Sequence, residues 1–261
     1  MATNVYIKLN KIWRVLATGF CFSVFGFGGI VLTLLVLPLQ RLFEPCQAKR
    51  KQKARLTVHY SFKFFVALMH YTGAIHFSVQ DKQKFHDLKG QLVLANHPSL
   101  IDVVVLISVI KNADCVVKAH LFKNPFMRGV IKGTGYISNE DPQELLNDCE
   151  ASLAAGNNLI IFPEGTRTTP GEQLTFKRGA ANIAARCKAP ITSVLISMKP
   201  STLTKGTPWY CVAATKAHFG MRFASEPFTF NDTFNNEQPA MQARQLTRDL
   251  QHYFSEELRH L

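Results

Sequence analysis

The stretch from Val15 to Gln40 carries no charged residue, and no other feature restricts the fold of this chain as strongly. At about 1.5 Å per residue, roughly 26 helical residues reach beyond a hydrocarbon core of about 30 Å. A membrane-spanning helix is the first expectation. Gly26, Gly28 and Gly29 interrupt the middle of the run, and a helical hairpin dipping into one leaflet could turn there, so a two-helix membrane motif is the alternative. A cleavable signal peptide fits less well: the run exceeds an h-region of about 7 to 15 residues and meets Pro38 and Arg41 at its end.

Charge flanks this run unevenly. Lys8, Lys11 and Arg14 precede it, whereas Arg41 and the cluster Lys49, Arg50, Lys51, Lys53 and Arg55 follow it. The positive-inside bias then puts the body of the chain on the cytoplasmic side of the cell inner membrane. The formal net charge of +12 points to an anionic partner. The cluster's place behind the apolar run favours membrane phospholipid headgroups over nucleic acid, at about 1 kcal/mol per cation. A solvated basic loop is the plainer alternative. From Leu56 to Val79, aromatic residues interleave with His59, Lys63, His70 and His76. That reads as an interfacial helix followed by a short strand, or equally as an aromatic face packed on the core.

Downstream, strand-like and helix-like pieces alternate, which indicates an α/β core. Strands are expected at Leu92–Ala95, Leu159–Phe162, Ile191–Met198 and Tyr210–Ala214. Helices are expected at Ile101–Ile110, from Asp141-Pro142 to Gly156, at Gly179–Lys188, and through Leu246, Leu250, Tyr253, Phe254 and Leu258 near the end. No P-loop, GxSxG elbow or HExxH helix occurs. Six scattered cysteines offer neither a zinc motif nor a disulfide framework, so no metal is expected and the soluble part reads as reduced.

Two segments carry candidate chemistry, each where an apolar strand ends. In Asn96-His97-Pro98-Ser99-Leu100-Ile101-Asp102, Asp102 falls in the first helical turn, where it can accept from one imidazole nitrogen of His97 and leave the other as a base. The same Ser99-to-Asp102 spacing also matches a capping box, and the local pattern does not separate the two. In Phe162-Pro163-Glu164-Gly165-Thr166-Arg167, Gly165 permits close backbone approach and Arg167 can hold phosphate oxygens. Lys177 and Arg178 follow, ahead of a helix N-terminus that itself favours anions.

Together these segments resemble the 1-acylglycerol-3-phosphate (lysophospholipid) acyltransferase family. His97 and Asp102 match its His-x4-Asp motif and Phe162–Arg167 its Phe-Pro-Glu-Gly-Thr-Arg block. Lys118 with Leu121, Phe176 to Gly179, and Pro190-Ile191 resemble its further elements. The resemblance implies a central mixed sheet flanked by helices, behind an N-terminal membrane helix or two-helix motif: a membrane-anchoring region over 1–84 and an acyltransferase catalytic domain over 85–261. It implies acyl transfer from acyl-CoA or acyl carrier protein, serving as co-substrate with no cofactor, to a lysolipid acceptor. His97 is then the base and Asp102 its orienter. Glu164, Gly165, Thr166, Arg167, Lys118 and Lys177 serve the acceptor and its phosphate, with oxyanion donors sought in the backbone from Glu164 to Thr166. One departure stands out. The family's Gly-x-x-Phe-x-x-Arg block ends here in Asn139, which removes a cation expected near the acceptor phosphate.

Overall fold

The structure, a computed structural model, describes residues 2–228 and 239–260. Its strands are β1 (Ile75–Val79), β2 (Leu92–Ala95), β3 (Ala113–Val117), β4 (Ile137–Ser138), β5 (Asn158–Ile161), β6 (Ile191–Lys199) and β7 (Ala217–Phe223). Its α-helices are α1 (Ala2–Val31), α2 (Leu37–Phe43), α3 (Gln47–Tyr71), α4 (Lys82–Asp87), α5 (Asp102–Val109), α6 (Arg128–Thr134), α7 (Pro142–Ala154), α8 (Arg178–Cys187) and α9 (Pro239–Arg259).

Period-two side-chain alternation sorts the central strands between two cores. Leu92 and Leu94 of β2 enter one hydrophobic cluster and Val93 and Ala95 the other, as a strand covered on both faces requires. In β5 and β6, Leu159, Ile161 and Leu195 face the first cluster, and Ile160, Val194 and Ile196 the second. The strands form one sheet of order β1-β7-β6-β2-β5-β3-β4. Every neighbouring pair is parallel except β6 with β7, so the sheet is mixed, as the resemblance implies. α7, α8 and α9 cover one face through Leu153, Ala184 and Phe254; α1, α3 and α5 cover the other through Cys21, Phe65 and Leu106. The sheet begins ahead of residue 84, because β1 pairs with β7 along its whole length.

Three expectations are corrected. Tyr210–Ala214 is loop, and the strand lies at Ala217–Phe223, where Ala217, Phe219 and Met221 are buried in alternation. The aromatic pair ahead of it packs elsewhere, with Trp209 edge-on to Phe22 of α1. Secondly, the chain does not turn at Gly26, Gly28 and Gly29, which lie inside α1. It continues through a π-helical turn at Leu32–Val36 into α2 and reverses only at residues 44–46. Pro38 accounts for the wide turn, since it lacks an N–H and its ring crowds the carbonyl four residues back. Thirdly, Arg55 does not belong to the exposed basic cluster. Its Nη2 donates to Asp114 at 2.6 Å and its Nε to the Thr134 carbonyl at 3.0 Å, which pins α3 to the sheet.

Ile7–Phe43 is long and apolar enough to cross a membrane, yet it does not stand clear of the domain. Trp13 donates to the Thr72 carbonyl, and Arg14 to the carbonyls of Ala214 and Thr215. Phe25 packs on Phe62 and Phe65, and Gln40 bonds to Thr57. Thr33 fits so closely over Gly129 of α6 that a Cβ there would lie 2.1 Å from its methyl group. The helix is therefore docked lengthwise, with Leu34, Leu35, Leu39, Leu42 and Phe43 left exposed on it.

Candidate active site

β2, β5 and β3 are adjacent and parallel, so the segments following them leave the sheet at one edge. That juxtaposes His97, Glu164 and Lys118, far apart in sequence. The loop after β2 is held from both sides. Asn96 extends the ladder with its side chain, its Nδ2 donating to the Ile196 carbonyl (2.8 Å) and its Oδ1 accepting from the Ile196 N–H (2.7 Å). The backbone of His97 is clamped to the loop after β5: its N–H donates to Glu164 Oε1 (2.8 Å) and its carbonyl accepts from Thr168 N–H (2.7 Å).

Asp102 is fully buried and gathers three donors. It accepts from His97 Nδ1 (2.7 Å), from Ser99 N–H (2.7 Å) and from the Ser99 hydroxyl. A capping box would instead send the Ser99 hydroxyl to the Asp102 N–H, and the residue at the cap position, Ile101, makes no side-chain bond. The return bond of such a box is present, from Ser99 N–H to the Asp102 carboxylate, so Asp102 both orders this turn and holds His97 Nδ1. Burial pushes the Asp102 carboxyl above the usual carboxylate range, opposed by the bonds from His97 and Ser99. A carboxylate only accepts, so Nδ1 carries the proton and Nε2 has the free lone pair. Phe162 stacks on the imidazole, with centroids 4.1 Å apart and planes at 21°, and fixes its plane. Sequence reasoning placed Phe162 in a motif without assigning it a task; its position one residue beyond an apolar strand was the available signal.

The acceptor residues divide. Glu164 is buried, and both its oxygens are committed, Oε1 to His97 N–H and Oε2 to the Thr168 hydroxyl at 2.7 Å. These bonds tie the His97 backbone to the loop after β5, and burial pushes the Glu164 carboxyl up. Gly165 has φ +63°, a left-handed conformation, and a Cβ there would lie 3.0 Å from the Lys177 side chain. Lys177 therefore lies over the Glu164–Arg167 turn, exposed at its tip. The Gly165 N–H closes that turn on the Phe162 carbonyl (2.9 Å), which removes it from the expected oxyanion donors. Thr166 is half-buried on the same turn. Arg167 commits Nη1 to the carbonyls of Leu203 (3.1 Å) and Thr204 (3.0 Å), leaving the rest of its fork for an anion. Lys118 is exposed one strand beyond β5, and no hydrogen bond joins it to the His97 cluster. Asn139 accepts from Ala119 N–H at 3.0 Å, so it fixes the segment carrying Lys118 instead of supplying charge.

An imidazole held by a buried carboxylate thus lies beside a cationic turn at one end of these strands. Residues 76–197 match the family model "Acyltransferase". Similar proteins include a 1-acyl-sn-glycerol-3-phosphate acyltransferase of Helicobacter pylori, 34% identical over 42% of this chain and 49% of the relative. The chloroplastic enzyme BAT2 of Brassica napus, of the same description, is 27% identical over 73% of this chain and 55% of its own length. The chain spans about half the length of the curated relatives it matches. The crystal structure of the LPA acyltransferase PlsC from Thermotoga maritima shares the fold, with a TM-score of 0.63 at 18% identity over 94% of this chain and 97% of that one.

Proposed function

We propose that this protein transfers an acyl group from a thioester, acyl-CoA or acyl carrier protein, to the free hydroxyl of 1-acylglycerol-3-phosphate, giving phosphatidate. The observation that carries the proposal is the Asp102-bound imidazole with a free Nε2, beside a turn that bears Arg167 and is overlain by Lys177. His97 takes the hydroxyl proton as the oxygen attacks the thioester carbonyl, a contribution of about 10²- to 10⁴-fold in rate. The thiolate leaves as the tetrahedral intermediate collapses. Asp102 holds the tautomer and stabilises the imidazolium. Arg167, Lys177 and, at the edge, Lys118 face the acceptor phosphate.

The docked helix supports attachment to the cytoplasmic face of the inner membrane through one leaflet, because a helix held lengthwise against the domain presents a side to lipid rather than an end. The matching names of the relatives support the acceptor class. The test is acyl transfer from both donors to a panel of lysolipids, with products identified by mass. Phosphatidate formation that His97→Ala abolishes supports the proposal.

A second reading is favoured by Asn139. With no cation there and Arg167 partly engaged, the acceptor is an amino-acid lipid or a polyketide lipid lacking that phosphate. Turnover of such a lipid, with none of lysophosphatidate, would establish it.

A further inference from the structure

A groove of about 320 Å³ lies between the end of the long N-terminal helix, the first turns of α3 and the end of α6. Its charged lining is Arg41, Arg50, Lys51 and Lys132, with no carboxylate. Among the described residues, none of these four side chains makes an ion pair or a hydrogen bond. The neighbouring carboxylate, Glu44, is held by Lys53 at 2.8 Å, and Arg55 is consumed by Asp114. Lys51 feels the Asp114 carboxylate from the side away from the groove, but clustered cations still repel one another unless an anion joins them.

Two oxygens on the helix wall add a second demand. Thr33 Oγ1 and Gln40 Oε1 are buried without a hydrogen-bond partner, and both residues line the groove. The Gln40 amide is oriented by its Nε2, which donates to Thr57 Oγ1 at 2.7 Å while the Thr57 hydroxyl donates to the Lys53 carbonyl at 2.9 Å. Oε1 is thus an acceptor awaiting a donor. The same helix exposes Leu34, Leu35, Leu39, Leu42 and Phe43 by 56% to 77%, so the groove opens beside an apolar surface. None of its lining residues belongs to the catalytic segments 96–102 or 162–168.

We propose that this groove is a second, non-catalytic site that seats the phosphate of an acidic glycerophospholipid, whose acyl chains lie along the exposed leucines. The cations hold the phosphate, and Gln40 Oε1 accepts a hydrogen bond from a protonated phosphate oxygen or a headgroup hydroxyl. The assignment rests on the membrane-attached reading above, and adds to it a discrete seat in place of diffuse attraction.

Sedimentation with vesicles of phosphatidylcholine, alone or with phosphatidate or phosphatidylglycerol, tests it on the full chain. R41Q/K132Q removes two exposed groove charges, and K82Q/K89Q removes two exposed charges elsewhere. The expected result is a loss of about tenfold or more in acidic-vesicle binding for the groove pair and about threefold or less for the control. R41K/K132R keeps the charges and is expected to bind as wild type does. Equal losses in the two neutralised variants overturn the seat while the membrane reading stands; a wild type that binds no vesicle overturns both. Thermal shifts of the protein in neutral detergent separate the ligand sources. Stabilisation by short-chain phosphatidate that R41Q/K132Q abolishes supports the site. Stabilisation only by sn-glycerol 3-phosphate or inorganic phosphate overturns the lipid assignment.

Discussion

Asp102 and Asp114 are both buried to within 1% of full enclosure, both accept a serine hydroxyl (Ser99 and Ser152), and burial pushes both carboxyls up. They differ in the partner that faces them. Asp114 meets Arg55, a side chain that never releases its proton at physiological pH, and the result is a closed ion pair tying α3 to β3. Asp102 meets His97, which can hold a proton on either nitrogen, and the result is an imidazole with one nitrogen open, as the proposed base requires. Burial and charge therefore do not by themselves mark a catalytic carboxylate in this fold. The proton capacity of the partner does.

The largest expected effects separate the two sites by what they damage. His97→Ala is expected to lower kcat by about 10²- to 10⁴-fold with the melting temperature nearly unchanged. Arg55→Met leaves Asp114 buried without its counter-charge and is expected to cost about 3 to 5 kcal/mol of stability, with kcat per folded molecule intact. Steady-state kinetics paired with denaturant titration reads both. A drop in kcat for Arg55→Met as deep as that for His97→Ala would break the comparison. R55M/D114L sharpens it: a wholly apolar replacement is expected to regain most of the lost stability, as buried ion pairs replaced together often do.

A smaller effect divides positioning from binding. Glu164→Ala leaves the His97 N–H without an acceptor, at about 1 to 3 kcal/mol, and is expected to lower kcat by roughly tenfold while KM stays within about twofold. The role read from sequence, contact with the acceptor, requires the opposite split. A large rise in KM at constant kcat would restore it.

Legibility in the sequence followed how local the cause was. Period-two alternation in β2, β5 and β6 and the Asp141 cap of α7, which accepts from Gln143 and Glu144 N–H, depend on neighbours and were readable. So was the His97-Asp102 pair as a candidate, since its members lie five positions apart. What it competed with, a helix cap, is partly present beside it, because Asp102 accepts from Ser99 N–H as well as from His97. The bond from His97 N–H to Glu164 was not readable because the two lie 67 residues apart, across a β2–β5 pairing that sequence order does not disclose. Arg55 was misread for the same reason, its Asp114 being 59 residues distant. The strand at Ala217–Phe223 was missed although its alternation is local, because the aromatic residues just before it drew the assignment.

The smallest effect is a slope. Asp102 and Glu164 both have carboxyls raised by burial, against unfolded values of about 3.9 and 4.3. Between the unfolded and folded values the native state binds more protons than the unfolded chain, so stability is fully present below the unfolded value and falls as pH rises through the folded one. Glu164→Gln removes one such group. Its stability curve, measured by urea titration from about pH 4 to pH 7, is therefore expected to fall less steeply than that of the wild type. A Glu164→Gln curve that falls more steeply than the wild-type curve would mean that the donors on this carboxylate outweigh burial; the wild-type slope alone also carries His59 and His86, whose values burial lowers and which make stability rise with pH. Glu164 would then be held ionised by its bonds from His97 N–H and the Thr168 hydroxyl.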